Sequence, residues 1–140
     1  MKVKVKRLHP NAVIPYYAKH GDAGMDLYAV DSTMDEYGNF VYDTGLAMEI
    51  PEGYVGLVFP RSSVSKTIHS LRNSVGVIDS GYRGSIMLKF GGNSGRSKYN
   101  VGDRVGQIII MPYPKIDFVD ADELSETERG TGGFGSTGVV

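Results

Sequence analysis

Apolar and polar residues alternate along this chain in short runs with a period close to two. In Lys2 to Arg7, Val3 and Val5 alternate with Lys2, Lys4 and Lys6, which gives a strand one dry face and one wet face. The runs Gly24 to Val30, Gly45 to Ile50, Tyr54 to Phe59, Ser74 to Asp79, Ser85 to Phe90, Arg104 to Met111 and Asp117 to Asp120 also read as strands. Turn-forming clusters separate them: Glu36-Tyr37-Gly38-Asn39, Pro51-Glu52-Gly53, Ser80-Gly81 and Gly91-Gly92-Asn93-Ser94-Gly95. A short helix is expected near Arg61 to Leu71, with Ser62 or Ser63 as its cap. Many short strands at even spacing predict an all-β domain, either a sandwich or a jelly-roll barrel. No internal repeat or low-complexity linker divides the chain.

Composition sharpens this picture. Glycine supplies 19 of 140 residues, about twice the usual ~7%, as tight turns between strands require. The net charge of −1 gives no global pull toward nucleic acid or a membrane surface, so any phosphate must be met locally. Cysteine is absent, which removes disulfides, thiol catalysis and cysteine-based zinc sites, and His9, His20 and His69 lack metal-ligand spacing. The first residues are charged without an apolar stretch behind them, and no later run reaches membrane length. A soluble protein, cytoplasmic or otherwise intracellular, is the expectation.

Five segments carry polar chemistry that a plain β core does not need. In Ala23 to Ala29 the odd positions are apolar, so Asp26 falls on the opposite strand face. Phe59-Pro60-Arg61-Ser62-Ser63 ends a strand at proline and follows it with a guanidinium and two hydroxyls, a set able to clamp phosphate oxygens. Asn73 to Gly84 reads as a hairpin turning at Ser80-Gly81, which sets Asp79 beside Tyr82. Gln107 shares a strand face with Val105 and Ile109, and a buried amide there needs a partner, either backbone or ligand.

The fifth segment is the glycine-rich end, Arg129 to Gly138. Gly130, Gly132 and Gly135 satisfy G-x-G-x-x-G, but that fingerprint needs a following helix and an acid roughly 20 residues on, and Val140 is the last residue given. Gly130 and Gly135 have Walker A spacing, yet Ser136 stands where lysine belongs. What remains is a glycine tail, or an arm that wraps phosphates with backbone N–H groups and lays Phe134 on a flat ligand.

In this order the five segments resemble the motifs of the trimeric dUTPase family, and the resemblance spans Ala23 to Gly138. It implies a jelly-roll-like β domain over residues 1–125 with a flexible arm over 126–140. It also implies a homotrimer whose active sites are shared between subunits, with the arm closing over the nucleotide. Asp79 resembles the general base that activates water against the α-phosphorus of dUTP, releasing pyrophosphate and leaving dUMP. Tyr82 resembles the tyrosine packed under the deoxyribose, and Gly76, Val77 and Ile78 with Asn73 resemble the group that meets the uracil edge. Arg61, Ser62, Ser63 and Gln107 resemble the α- and β-phosphate contacts. Arg129, Gly135, Ser136 and Thr137 resemble the arm's phosphate contacts, and Phe134 its stacking ring. Mg²⁺ is implied as cofactor, with Asp26 reaching it through water. Ser63 stands where many members have glycine, and Gly106 where alanine is usual. Two alternatives share this scaffold: a dCTP deaminase, and a catalytically silent nucleotide-sensing or protein-binding module. Deaminases resemble one another in a glutamate shortly after the motif glutamine. Here Ile108, Ile109, Ile110 and Met111 follow, and none of them can move a proton.

Overall fold

The computed structural model describes residues 1–92, 98–135 and 138. Among them ten strands follow in chain order: β1 Lys4–Arg7, β2 Met25–Tyr28, β3 Asp31–Met34, β4 Phe40–Asp43, β5 Leu46–Glu49, β6 Tyr54–Phe59, β7 Ser70–Leu71, β8 Gly76–Ile78, β9 Met87–Gly91 and β10 Arg104–Pro112. Every pairing is antiparallel, in sheets ordered β2-β10-β6-β8, β3-β4-β9-β7 and β1-β5. A single apolar cluster joins them. Leu27, Val58 and Ile108 of the first sheet meet Tyr42, Leu88 and Phe90 of the second, with Leu46 and Met48 of β5. The period-two pattern explains this directly: Leu88 and Phe90 are buried, while Met87 and Lys89, which alternate with them, are exposed. Tyr42 is 1% exposed and its hydroxyl donates to Tyr99 O at 2.8 Å, so its polar end is not stranded in the core. The all-β, jelly-roll-like architecture expected from the sequence is the one observed.

Several local expectations are corrected. Asp117 to Asp120 forms no strand; Phe118 is 94% and Val119 82% exposed, and no neighbouring strand of this chain pairs with the segment. The helix expected near Arg61 to Leu71 is only a 3₁₀ segment, Ser62–Lys66, preceded by Arg61 and without a side-chain cap bond. The hairpin at Ser80-Gly81 is only half present. Tyr82 N–H does donate to Asp79 O at 3.1 Å, but β8 pairs with β6 while β9 pairs with β4 and β7. The turn therefore passes the chain from one sheet to the other.

The hairpin β3–β4 escaped notice because Asp31, Ser32 and Thr33 show no apolar alternation. Its turn is held by Asp35, whose carboxylate accepts from the Asn39 amide at 3.0 Å and from Asn39 and Tyr37 N–H at 2.9 Å each. Those donors, the Asn39 side chain foremost, lower its pKa from 3.8 to about 2. A depressed carboxylate stabilises the folded state above its unfolded pKa and loses that contribution as pH falls through the folded value. An Asp35→Asn protein should therefore melt below wild type at neutral pH, with the difference closing between pH 3.8 and about 2. A pH-independent difference in melting temperature would contradict this account.

Candidate active site

Two polar clusters flank β6, one beside its ladder with β8 and one just past its C-terminal end. The first is a cleft of about 340 Å³ beside β8, lined by Asn73, Val77, Ile78, Asp79 and Tyr82. Five residues expected to act together are thus brought together, and Gly76 lies next to them in β8. Because β8 ends its sheet, one of its edges leaves backbone N–H and C=O groups unpaired by any strand. Asp79 is exposed, and no donor to its carboxylate occurs among the described residues. Arg72 and Lys89 add two cations to the lining that the sequence reading passed over.

The residues after the turn lock Tyr82. Its hydroxyl donates to Ser85 O at 2.8 Å, which folds the ring back over Gly84. A Cβ on Gly84 would fall 2.4 Å from the Tyr82 hydroxyl and 2.6 Å from Cζ, so only glycine permits this pose. The Ser85 hydroxyl donates in turn to Asp43, which also accepts from Gly45 N–H at 2.8 Å. The tyrosine is thereby fixed against the end of β4.

The second cluster forms where β6 meets Pro60 and Arg61. On one rung, Asp26 of β2 pairs with Gln107 of β10, which pairs with Phe59 of β6. Arg61 Nε donates to Asp26 Oδ1 at 2.8 Å, and Arg104 Nη1 lies 3.7 Å from Oδ2. Asp26 is therefore an ion-paired orienter of Arg61, with its side chain only 25% exposed. Gln107 Nε2 donates to Pro60 O at 3.1 Å, which answers the question of its protein partner with backbone. The expected face for Gln107 is corrected: the register shifts between Arg104 and Gly106, so Val105 enters the core with Ile108, while Gln107 faces the other way.

Both departures from the usual motifs have structural correlates. Ser63 Oγ lies 2.9 Å from the Tyr99 hydroxyl and accepts from Arg61 Nη1 at 3.4 Å, so the serine joins the network around Arg61. Glycine suits position 106 because a Cβ would approach Leu88 Cδ2 to 2.4 Å and Phe59 O to 3.0 Å. Ser62 is exposed, and its carbonyl accepts from Ser65 Oγ at 2.8 Å.

Among the described residues, those of the arm join neither cluster within this chain. Arg129 Nε donates to Gly132 O at 2.7 Å, Gly130 N–H to Thr127 Oγ1 at 3.1 Å, and the Phe134 ring stands fully in solvent. Gly135 is exposed beside it, and Ser136 and Thr137 lie outside the described residues.

A protein-bound metal fits poorly here. Among the described residues no three His, Cys, Asp or Glu side chains gather, and the oxygens of Asp26 already face two guanidinium groups. The donor set suits a divalent ion carried in by phosphates better than one held by the protein alone. No helix of the described residues is long and apolar enough to cross a membrane.

The dUTPase family profile matches residues 10–138. The chain is 40% identical to the deoxyuridine 5'-triphosphate nucleotidohydrolase of Hydrogenobaculum sp. over 99% of both proteins. It is 42% identical to that of Solibacter usitatus over 99% of this chain and 97% of the relative. Its fold is similar to the dUTPase of Staphylococcus bacteriophage 80alpha solved with dUpNHpp, with a TM-score of 0.81, 28% identity and 99% of each chain covered. It is also similar to a mutant dUTPase of phage phi11 of S. aureus, solved to show coordination of a structural Mg(II) ion, with a TM-score of 0.72, 26% identity, and 88% and 98% covered. With the profile spanning nearly the whole chain and both relatives matched end to end, this chain belongs to the dUTPase family.

Proposed function

We propose that this chain hydrolyses dUTP to dUMP and pyrophosphate at a site that joins the β8 cleft to the Arg61 cluster. The observation that carries this reading is the grouping of Asp79, Tyr82, Asn73 and an open strand edge around one cleft. Uracil presents O4, N3–H and O2 in a row, much as a strand edge presents carbonyls and amides. Cytosine reverses the roles at N3 and C4. Each buried polar group left unpaired costs about 1–3 kcal/mol, so two reversals give roughly 10² to 10⁴ in selection. The Tyr82 ring, fixed by Ser85 and Gly84, packs under the sugar and leaves no room for a 2′-hydroxyl.

Asp79 takes a proton from water as the water oxygen bonds to the α-phosphorus. The bond from the α-phosphorus to the bridging oxygen breaks, and pyrophosphate leaves with that electron pair. Arg61, oriented by Asp26, and Gln107, oriented by Pro60, hold the α- and β-phosphates with Ser62 and Ser63. Mg²⁺ bound with the nucleotide would supply charge neutralisation at the phosphates, and Asp26 would help to hold it through water. The arm closes over the nucleotide, with Phe134 stacking on the base and Arg129, Gly135, Ser136 and Thr137 at the far phosphates.

A homotrimer is part of this proposal. Asp79 lies beyond Ile78, which pairs with Gly56, while Arg61 lies five residues further along the chain from Gly56. At about 3.3 Å per residue, up to roughly 17 Å of extended chain lies between them, a span that favours taking the two clusters from different copies. A second copy of the chain brings the missing cluster. The substrate places the protein inside the cell, where nucleotide pools lie.

Incubation with Mg²⁺ and dUTP, dCTP, dTTP or UTP, with pyrophosphate and ammonia followed together, tests the reaction. Pyrophosphate from dUTP alone is expected. Ammonia from dCTP would make the protein a deaminase, and no product from any nucleotide would make it a binding module.

A further inference from the structure

Nothing among the described residues holds the Asp79 carboxylate, so its aim depends on the backbone of the turn that carries it. That backbone is gripped by one side chain. Arg83 Nη1 donates to Ser80 O at 2.6 Å and to Tyr82 O at 3.3 Å, while Nη2 pairs with Glu49 Oε1 at 3.3 Å. Glu49, the last residue of β5, also faces Lys4 of β1, with Oε2 3.8 Å from Nζ. We propose that Arg83 is a positioning residue, which clamps the turn from Asp79 to Tyr82 onto β5 and thereby aims the base at the attacking water.

Arg83 borders the surface formed by Lys4, Val5 and Glu49 and does not line the cleft of Asp79 and Tyr82. It therefore acts from behind the turn, away from substrate. The planar guanidinium suits this task because its separate N–H groups reach two carbonyls and a carboxylate in fixed directions. A lysine ammonium offers charge without that fork. Arg83 and Glu49 are both about half exposed, with side chains at 54% and 49%, so their ion pair contributes little to stability. The effect of losing the clamp belongs to geometry, and a misplacement of about 1 Å can lower a rate by up to 10²-fold.

The inference rests on dUTP hydrolysis at this cleft. Arg83→Ala is expected to lower kcat by roughly 10-fold, inside that range, while the melting temperature and KM for dUTP move little. Arg83→Lys should behave like the alanine protein, and it carries the same test if Arg83→Ala does not fold. In an Asp79→Asn background, Arg83→Ala should lower the residual turnover no further, because the group being aimed is gone. Wild-type kcat in a folded Arg83→Ala or Arg83→Lys protein would overturn the clamp. So would an equal loss with and without Asp79. A wild-type protein that releases no pyrophosphate from dUTP would instead overturn the reading of the reaction.

Discussion

Asp79→Asn should leave a folded protein that binds dUTP and turns it over roughly 10² to 10⁴ times more slowly, the range for removing a general base. The folded state should not notice the change. The Asp79 carboxylate has no donor among the described residues, and the contact that matters for the turn, Tyr82 N–H to the residue-79 carbonyl, is backbone and survives. Surface substitutions of this kind shift stability by about 0.5 kcal/mol or less. Binding should also persist, because Asn73, the β8 edge, Tyr82 and the Arg61 cluster are untouched. If anything, removing one negative charge from beside a triphosphate favours the complex. The predicted signature is thus a fall in kcat at nearly constant KM and melting temperature. Wild-type turnover by Asp79→Asn would remove this residue from the mechanism, and the clamp inferred for Arg83 would lose its object.

The parts of this protein legible in its sequence are those where one residue type answers one physical need. Period-two alternation located β1, β2, β5, β6, β8, β9 and β10 to within a few residues, because each turns one face toward a shared core. It missed β3, β4 and the two-residue β7; Asp31, Ser32 and Thr33 of β3 face largely outward and are held by the β4 ladder. It also assigned a strand to Asp117 to Asp120, where the alternation exists but no ladder partner does. Local pattern reports which face is apolar, and pairing depends on what the rest of the chain brings alongside.

The same distinction runs through the site. Asp79, Tyr82 and Asn73 could be grouped because they sit on one short segment, and the structure puts them in one cleft. The partnership of Asp26 with Arg61 and Arg104 joins three segments and depends on a ladder register that sequence does not display. The β-bulge near Val105 is the clearest case. A single extra residue reverses the alternation, and the face of Gln107 could not be counted from Val105. Arg83 went unremarked because its role lies in bonds to backbone carbonyls, which leave no trace in side-chain pattern.

Deleting the chain after Glu128 should leave the fold intact and reduce kcat/KM for dUTP by roughly 10² to 10⁴. The deletion removes Arg129, Phe134, Gly135, Ser136 and Thr137 together. Stacking of a base on an aromatic ring is worth about 1–3 kcal/mol, and a hydrogen bond to a charged phosphate about 1.5–3. Together these give about 2.5–6 kcal/mol, and each 1.36 kcal/mol is tenfold in rate. Stability should not follow, since the bonds of Arg129 and Gly130 are local and the Phe134 ring touches no core. A truncated protein with wild-type kcat/KM would reduce the arm to a plain glycine tail. Mixing gives the sharper version. Neither Asp79→Asn copies nor truncated copies should work alone, but protein refolded from a mixture of both should regain turnover if one copy's arm closes over another copy's cleft. Such a site takes its aspartate from the truncated chain and its arm from the full-length one. If each arm serves only its own chain, the mixture stays as slow as its parts.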